Sequence, residues 1–340
     1  MKLYVTEYLC SGACAGSPFP DSLLDEGRAM WAALLCDLQA ADGVELVTTC
    51  DTRLQPPAIP ELQVHWVDNP AKERDLFEQL AQVADGVIVI APELEGVLER
   101  RVNLLRDWGK GQLMSTPSAV AVTADKWKFH QLCRRESFRC PDTWLLADDP
   151  FPAAPPCDFP CLVKPRLGAG TTATYRVSSQ SEWESLRSRH AELVLWPALV
   201  QTFEQGVPHS ICCIIDPQAG VPLWLPLGQQ CYAGLTYTGG LIPSHVPRNR
   251  EIHNLACAIL AAIPGLKGYI GIDLLVDPLG QAPPVVLEVN PRLTTSYLGY
   301  RTLATTSFAP WILGHENKPE LNWYPHGVRF DTHGQTTLSR

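Results

Sequence analysis

Asp273, Glu288 and Asn290 are the side chains whose types and spacing first suggest chemistry. They lie in GYIGIDLLVDPLGQAPPVVLEVNPR, residues 268–292, which reads as two short strands joined by a turn. With a side-chain period of two, Asp273 shares a face with Gly271 and Leu275, and Glu288 and Asn290 share one with Val286. Three oxygen-bearing groups can thus converge on one face of otherwise apolar strands. Carboxylates so placed are costly to bury unless something positive meets them. Oxygen ligands of this kind suit Mg²⁺, with Mn²⁺ as the alternative, bridging to substrate phosphates. The first expectation is therefore a Mg-nucleotide site. The competing reading, a polar strand face at a domain edge, fits poorly with Glu288 and Asn290 facing one way inside an apolar run.

Cations precede them in the chain. Lys164 ends the apolar run LVK and leads through Pro165 into RLGAGTT, whose Gly168, Ala169 and Gly170 form a small glycine-rich loop. Glycines let backbone N–H groups approach a phosphate, and a lysine beside them adds a point charge. Lys126 opens the helix DKWKFHQLCRR, where the N-terminus itself favours anions. Each signal has a plain alternative, since turns need glycine and most lysines are solvated.

The elements that must position these groups fall into two styles. A strand at residues 2–8 ends in the Gly/Ser/Pro loop SGACAGSPFPDS, which lacks the G-x-G-x-x-G order of a dinucleotide turn. A helix over 22–38, strands at 44–48 and 64–67, a helix over 72–83, the apolar strand 86–91 and a helix after Pro92 follow. Such alternation implies a parallel sheet covered by helices on both sides. Beyond it come a strand at 143–146, a Pro-rich connection, a hairpin around 162–177, a helix near 181–190 and a strand ending near Thr202. Strands near 209–216 and 221–230, a flexible loop CYAGLTYTGGLIPSH and a helix at 249–263 lead into the opening stretch. The expected organisation is an α/β domain over residues 1–112, subdomains of α+β character over 113–200 and 201–330, and a polar, frayed tail over 331–340.

Composition excludes some classes. The chain has 340 residues, 46% hydrophobic and 19% charged, ordinary for a globular protein. A net charge of -9 argues against broad nucleic-acid binding. No stretch approaches the roughly 18 apolar residues of a membrane span, and MKLYVTEYLC reads as a strand, not a signal peptide. The 12 cysteines form no Cys-x-x-Cys pair or zinc-finger spacing, so reduced, mostly buried thiols in the cytoplasm are expected.

The order Lys126, Lys164 with its glycine loop, Gln201-Thr202-Phe203-Glu204-Gln205-Gly206, Asp273 and Glu288-x-Asn290 resembles the ATP-grasp superfamily over residues 113–310, preceded by a Rossmann-like pre-ATP-grasp domain. The resemblance implies that Lys126, Lys164 and Gly168–Gly170 hold ATP phosphates, that the hinge Val200–Phe203 takes the adenine, and that Asp273, Glu288 and Asn290 bind two Mg²⁺ ions. More narrowly, EYLCSGACAGS, LDEGRAMWAALLCDL, APELEGVL and NPRLTTSYLGYR are similar to motifs of the tyramine–glutamate ligase group of methanofuran biosynthesis. There are departures. Pro208 stands where many members place a ribose-binding carboxylate, so Glu204 or another group must substitute. Gly271 stands where many amino-acid ligases carry an arginine before the metal acid. Arg292 is the expected replacement, with Arg166 and Arg301 as alternates.

The implied reaction joins a small-molecule carboxylate to an amine through an acyl phosphate, with no nucleophilic side chain. Positioning and charge neutralisation suffice for phosphoryl transfer. Lys164 and Arg292 are the expected catalytic cations. Tyr232, Thr236, Tyr237, Gly239 and Gly240 are candidates for closing over the amine, and Thr294, Thr295 and Ser296 for binding a substrate carboxylate. Glu26, Arg28, Glu93 and Glu95 fall in the family-like motifs. An amino-acid or peptide ligase of other specificity, or a nucleotide-binding regulator without turnover, remain the competing readings.

Overall fold

The computed structural model describes residues 1–146, 151–168 and 172–339. Ala169 and Gly170 of the glycine loop lie outside these described residues.

The N-terminal sheet runs Gln63–Val67, Glu45–Asp51, Lys2–Glu7, Gly86–Ile90, all parallel. Gly86–Ile90 is buried at every residue, as its unbroken apolar run requires of a strand covered on both faces. The helix Pro70–Val83 shows how local sequence sets an element. Asn69 accepts a hydrogen bond from the Lys72 amide, proline occupies the first turn, and Phe77, Leu80 and Ala81 turn inward.

A second, antiparallel sheet runs Thr143–Leu146, Ala198–Thr202, Cys161–Pro165, Tyr175–Val177. Its core gathers Phe151, Val163, Trp183, Leu186 and Val200. The third and largest sheet is antiparallel throughout, in the order Val285–Asn290, Gly268–Val276, Val207–Ile215, Gly228–Ala233, Thr236–Ile242, Gly327–Asp331, Thr336–Ser339, with Pro222–Trp224 beside Val207–Ile215. The helix Asn249–Ala262 covers its first strands through Ile252, Ala256 and Ile259. The expected α/β class with α+β character in the later part is what the chain adopts.

Two segments differ from expectation. The supposed flexible loop after residue 230 is a hairpin, Gly228–Ala233 paired with Thr236–Ile242. Its polar alternation with aromatic residues suits a strand with one face open, which reads like a loop in isolation. The terminal stretch expected to fray carries Thr336–Ser339, paired to Gly327–Asp331. A polar segment needs only backbone partners to become an edge strand. No helix among the described residues is long and apolar enough to cross a membrane. The cysteines are free: six are buried, while Cys36 and Cys257 are exposed.

The first and third sheets share a core. The helix Asp21–Gln39 packs on Ser296–Leu303, and Asp37 is the polar bolt between them. It accepts from the Tyr297 hydroxyl at 2.5 Å, the Phe308 amide at 3.1 Å and Arg301 Nε at 3.0 Å. Ten residues upstream on the same helix, Gly27 sits over Glu7: a Cβ there would lie 2.7 Å from Oε1 of that carboxylate. Glu7 is 2% exposed, and its Oε2 accepts from the Cys10 amide at 2.8 Å. Burial pushes its carboxyl up to about 7 against that bond. The folded state thus favours neutral Glu7. The stability it contributes is fully present below the ordinary carboxyl range and is lost as pH rises through about 7, by roughly 3 kcal/mol. Wild-type and Glu7→Gln melting temperatures should therefore converge at pH 5 and separate at pH 8 in the variant's favour. A difference independent of pH would refute this account.

Candidate functional site

Between the second and third sheets lies a cleft of about 500 Å³. Its floor is the antiparallel pair Gly268–Val276 and Val285–Asn290, which places Asp273 opposite Glu288 and Gly271 opposite Asn290. The three groups expected to converge do so. Asn290 Nδ2 donates to Asp273 Oδ2 at 3.0 Å, and Gln230 Nε2, from the neighbouring hairpin, donates to Oδ1 at 3.0 Å.

Strict alternation does not hold along this floor. A bulge pairs Leu274 with Val286 directly after Asp273 with Glu288, so Leu287 is the extra residue. Val286, expected to share the polar face, is instead fully buried among Ile272, Leu274 and Val289. Leu287, expected on the opposite face, lines the cleft beside Glu288. One inserted residue flips the facing of everything before it.

The two carboxylates titrate apart. Burial, and then the Glu288 charge opposite, push Asp273 up. Burial also works against Glu288, but Lys126, Lys164 and Arg292 hold it below the usual carboxylate range. Although it lies deep between the sheets, the Glu288 side chain keeps 37% exposure to the cleft. Among the described residues no three His, Cys, Asp or Glu side chains cluster as a metal cage. The set here is two carboxylates and the Oδ1 oxygen of an amide. Opposed carboxylates with hard oxygen donors fit a Mg²⁺-like ion that also takes water and phosphate oxygens.

The facing wall carries the cations. Lys164, on Cys161–Pro165, donates through Nζ to Gln201 Oε1 at 2.7 Å, and Gln201 Nε2 is held in turn by the Thr143 hydroxyl at 2.8 Å. Burial, and then neighbouring Lys126, bring the Lys164 ammonium down to about 8. Lys126 Nζ donates to the Gly168 carbonyl at 2.6 Å and stands 3.9 Å from Glu288 Oε2. Asp125 fixes its helix start by accepting from the Trp127 and Lys128 amides while gripping Arg166 through both oxygens, at 2.8 and 2.6 Å. Arg166 is thereby spent on position. Arg301 is engaged with Asp37 and the Thr306 carbonyl. Of the three arginines considered, Arg292 is the one lining the cleft. It pairs with Glu93 at 2.8 and 2.6 Å and donates to the Leu293 carbonyl at 3.0 Å. Three of its five N–H donors are thus engaged and two remain.

One end of the cleft is apolar, with Leu162, Phe203, Pro208, Leu275 and Leu287. Gln201, Thr202 and Glu204 also line it, and the buried Thr202 hydroxyl has no hydrogen-bond partner among the described residues. Such an orphan is costly unless a ligand completes it. Arg176 lies over the Phe203 ring at 4.3 Å. The other end is polar and aromatic: Glu26, Gln230, Tyr232, Tyr237, Thr294, Thr295 and Ser296.

Gly239 and Gly240 are not brought to the cleft. A Cβ at Gly239 would lie 2.0 Å from the Phe330 carbonyl oxygen, and one at Gly240 2.6 Å from the Phe330 ring. These glycines let strand Gly327–Asp331 approach, which is a packing need. Gln230 and Leu287 were missed. The glutamine carries no distinguishing signal in sequence, and Leu287 is turned inward only by the bulge.

Comparisons with known proteins agree with this geometry. An ATP-grasp domain model matches residues 123–296, just over half of the chain, and a pre ATP-grasp domain model matches residues 44–120. The chain is similar to a tyramine–L-glutamate ligase of Methanocaldococcus fervens, 22% identical over 91% of this chain and 94% of that one. It is similar to a D-alanine–D-alanine ligase of Francisella philomiragia, 25% identical over 69% of this chain and 80% of that one. Among solved structures, an ATP-grasp superfamily protein from Archaeoglobus fulgidus superposes with a TM-score of 0.70 at 22% identity, over 97% of this chain and 92% of that one.

Proposed function

The chain belongs to the ATP-grasp family, and from that premise we propose that it is an ADP-forming carboxylate–amine ligase working through an acyl phosphate. In the finer reading it joins glutamate to tyramine, tyrosine or a similar aromatic amine, within a pathway to a methanofuran-like cofactor. Similarity to a tyramine–L-glutamate ligase over most of both chains supports that choice. One observation carries the ligase reading: Lys126 and Lys164 meet Asp273, Glu288 and Asn290 across a single cleft.

In this reading the apolar end takes the adenine, and the unpartnered Thr202 hydroxyl supplies one of its hydrogen bonds. Glu204 takes the ribose in place of a carboxylate at Pro208. Lys126, Lys164 and the loop at Gly168 hold the phosphates. Asp273, Glu288 and Asn290 would hold Mg²⁺, which when bound neutralises charge on the phosphate oxygens.

A carboxylate oxygen of the acid substrate attacks the γ-phosphorus, and the bond to the β–γ bridging oxygen breaks, releasing ADP. The amine nitrogen, as its free base, then attacks the acyl carbon. The carbon–oxygen bond to phosphate breaks, phosphate leaves, and the surplus proton on nitrogen passes to it or to water. The chain needs only to orient reactants, exclude water and stabilise developing anionic charge. Lys164 does the last as a point charge, and Arg292 through its two remaining donors.

ADP release should require acid and amine together. With Mg-ATP, glutamate plus tyramine should give turnover well above either substrate alone. ADP release indifferent to the amine, or absent across a panel of acids and amines, would overturn the ligase reading.

A further inference from the structure

Arg292 is held from outside the two sheets that form the cleft. Its partner Glu93 stands 199 residues earlier, in the pre ATP-grasp region. The buried strand Gly86–Ile90 ends there, and Ala91, Pro92 and Glu93 lead from it into the turn Leu94–Gly96. Open α/β sheets present functional groups beyond the carboxyl ends of their strands. This end of the sheet faces Arg292: Glu7, the last residue of the neighbouring strand, feels its charge as well. Glu93 Oε1 accepts from Arg292 Nε at 2.8 Å and Oε2 from Nη2 at 2.6 Å. The pair is thus bidentate, and the two side chains are only 13% and 7% exposed. The Leu293 carbonyl takes one N–H of Nη1. One N–H on each terminal nitrogen is left, on a residue that lines the cleft. Two donors on neighbouring nitrogens match two oxygens of one phosphoryl group. Glu288 and Glu26 also line the cleft and also attract Arg292. A guanidinium among these carboxylates has several directions open to it, and the bidentate pair selects one.

Resting on the ligase reading, we infer that Glu93 is a positioning residue for phosphoryl transfer. It locks the Arg292 guanidinium by its Nε/Nη2 edge, so that the two remaining N–H groups face the phosphoryl group in transit. The pre ATP-grasp region then completes the active site, although Lys126 and Lys164 lie outside it. A planar fork held along one edge needs no reordering when charge develops on the phosphoryl oxygens. A misplacement of about 1 Å costs on the order of a hundredfold in rate. Without Glu93 the guanidinium turns toward Glu288 or Glu26 and leaves that orientation. The nucleotide itself is held by Lys126, Lys164 and the apolar end of the cleft, so its binding does not depend on Glu93. The signal in sequence is slight: Glu93 lies in APELEGVL with nothing local to mark its partner.

The test uses glutamate, Mg-ATP and saturating hydroxylamine, which captures the acyl phosphate as a hydroxamate and releases phosphate, so that recognition of the second amine plays no part. Glu93→Gln keeps the volume but turns an amide N–H toward the guanidinium where an oxygen had been. Its kcat should fall about a hundredfold while the KM for ATP changes less than about threefold. Mg-ATP should still raise its melting temperature as it does that of wild type. Arg292→Gln should lose a similar factor, and the double variant no more than either single one, because both remove the same oriented guanidinium. Glu93→Asp, which keeps the charge but withdraws it by one methylene, should fall between, and it carries the same cycle where the Gln variant does not fold. Near-normal kcat in a folded Glu93 variant, losses that multiply in the double variant, or a loss confined to the KM for ATP or glutamate would overturn the inference while leaving the ligase reading intact. Failure of the wild type to form a hydroxamate from any of a panel of acids would overturn the ligase reading and this inference with it.

Discussion

Glu288→Gln is expected to lower ADP-forming turnover roughly a thousandfold, the scale of removing a principal electrostatic stabiliser from a buried site. The variant should nevertheless fold. In the free protein Glu288 stands directly across the strand pair from Asp273, and like charges so placed destabilise a sheet. Its compensation comes from Lys126 at 3.9 Å and, farther off, from Lys164 and Arg292. Removing one negative charge therefore relieves Asp273 while loosening Lys126, and the melting temperature of the free variant should stay near or above wild type. The loss should appear on ligation. Mg-ATP should raise the wild-type melting temperature, as any ligand binding only the folded state does, and should raise that of Glu288→Gln far less. Near-normal turnover, or an undiminished thermal shift, would mean the strand pair does not hold a metal.

Lys164→Met is expected to lower kcat/KM for ATP by about 100- to 1000-fold, or about 3–4 kcal/mol. The ammonium is held in place by Gln201, itself held by Thr143, so it does not need ordering when phosphate arrives. Burial and Lys126 bring it down to about 8. The active form is the protonated one, so wild-type kcat/KM for ATP should fall as pH rises through about 8. The Met variant should lack that limb. Its free form should be no less stable, because a buried ammonium beside a second cation opposes folding at neutral pH. Arg at this position should not restore activity, since a planar guanidinium cannot reproduce a point charge fixed by one amide oxygen. A Met variant with the wild-type pH profile would remove Lys164 from phosphate binding.

Much of this site was legible because its parts lie on regular elements. Asp273, Glu288 and Asn290 come together as a period of two demands. Lys126 and Lys164 sit at a helix start and a strand end that the sequence marks with Asp125 and Pro165. What failed was a matter of one residue or of distant partners. The bulge at Asp273/Leu274 exchanged Leu287 for Val286 in the lining. Tyr232 and Tyr237 pair with each other and read as a loop because their strands take their second partners from Val207–Ile215 and Gly327–Asp331. Gly239 and Gly240 looked like substrate contacts and instead admit Phe330.

The sequence by itself determined most of the elements, the α/β beginning and the identities of the cations and oxygen donors, because hydrophobic period and capping act over a few residues. Only the tertiary structure decided how charge is apportioned. Arg166 is spent on Asp125 and Arg301 on Asp37, Arg292 is shared with Glu93, and Glu26 is bonded by the Thr295 hydroxyl with no directly paired cation among the described residues. Each partner lies tens to hundreds of residues away in the chain. Which carboxylate is neutralised and which stays open to a substrate follows from packing between sheets, and local sequence carries no record of it.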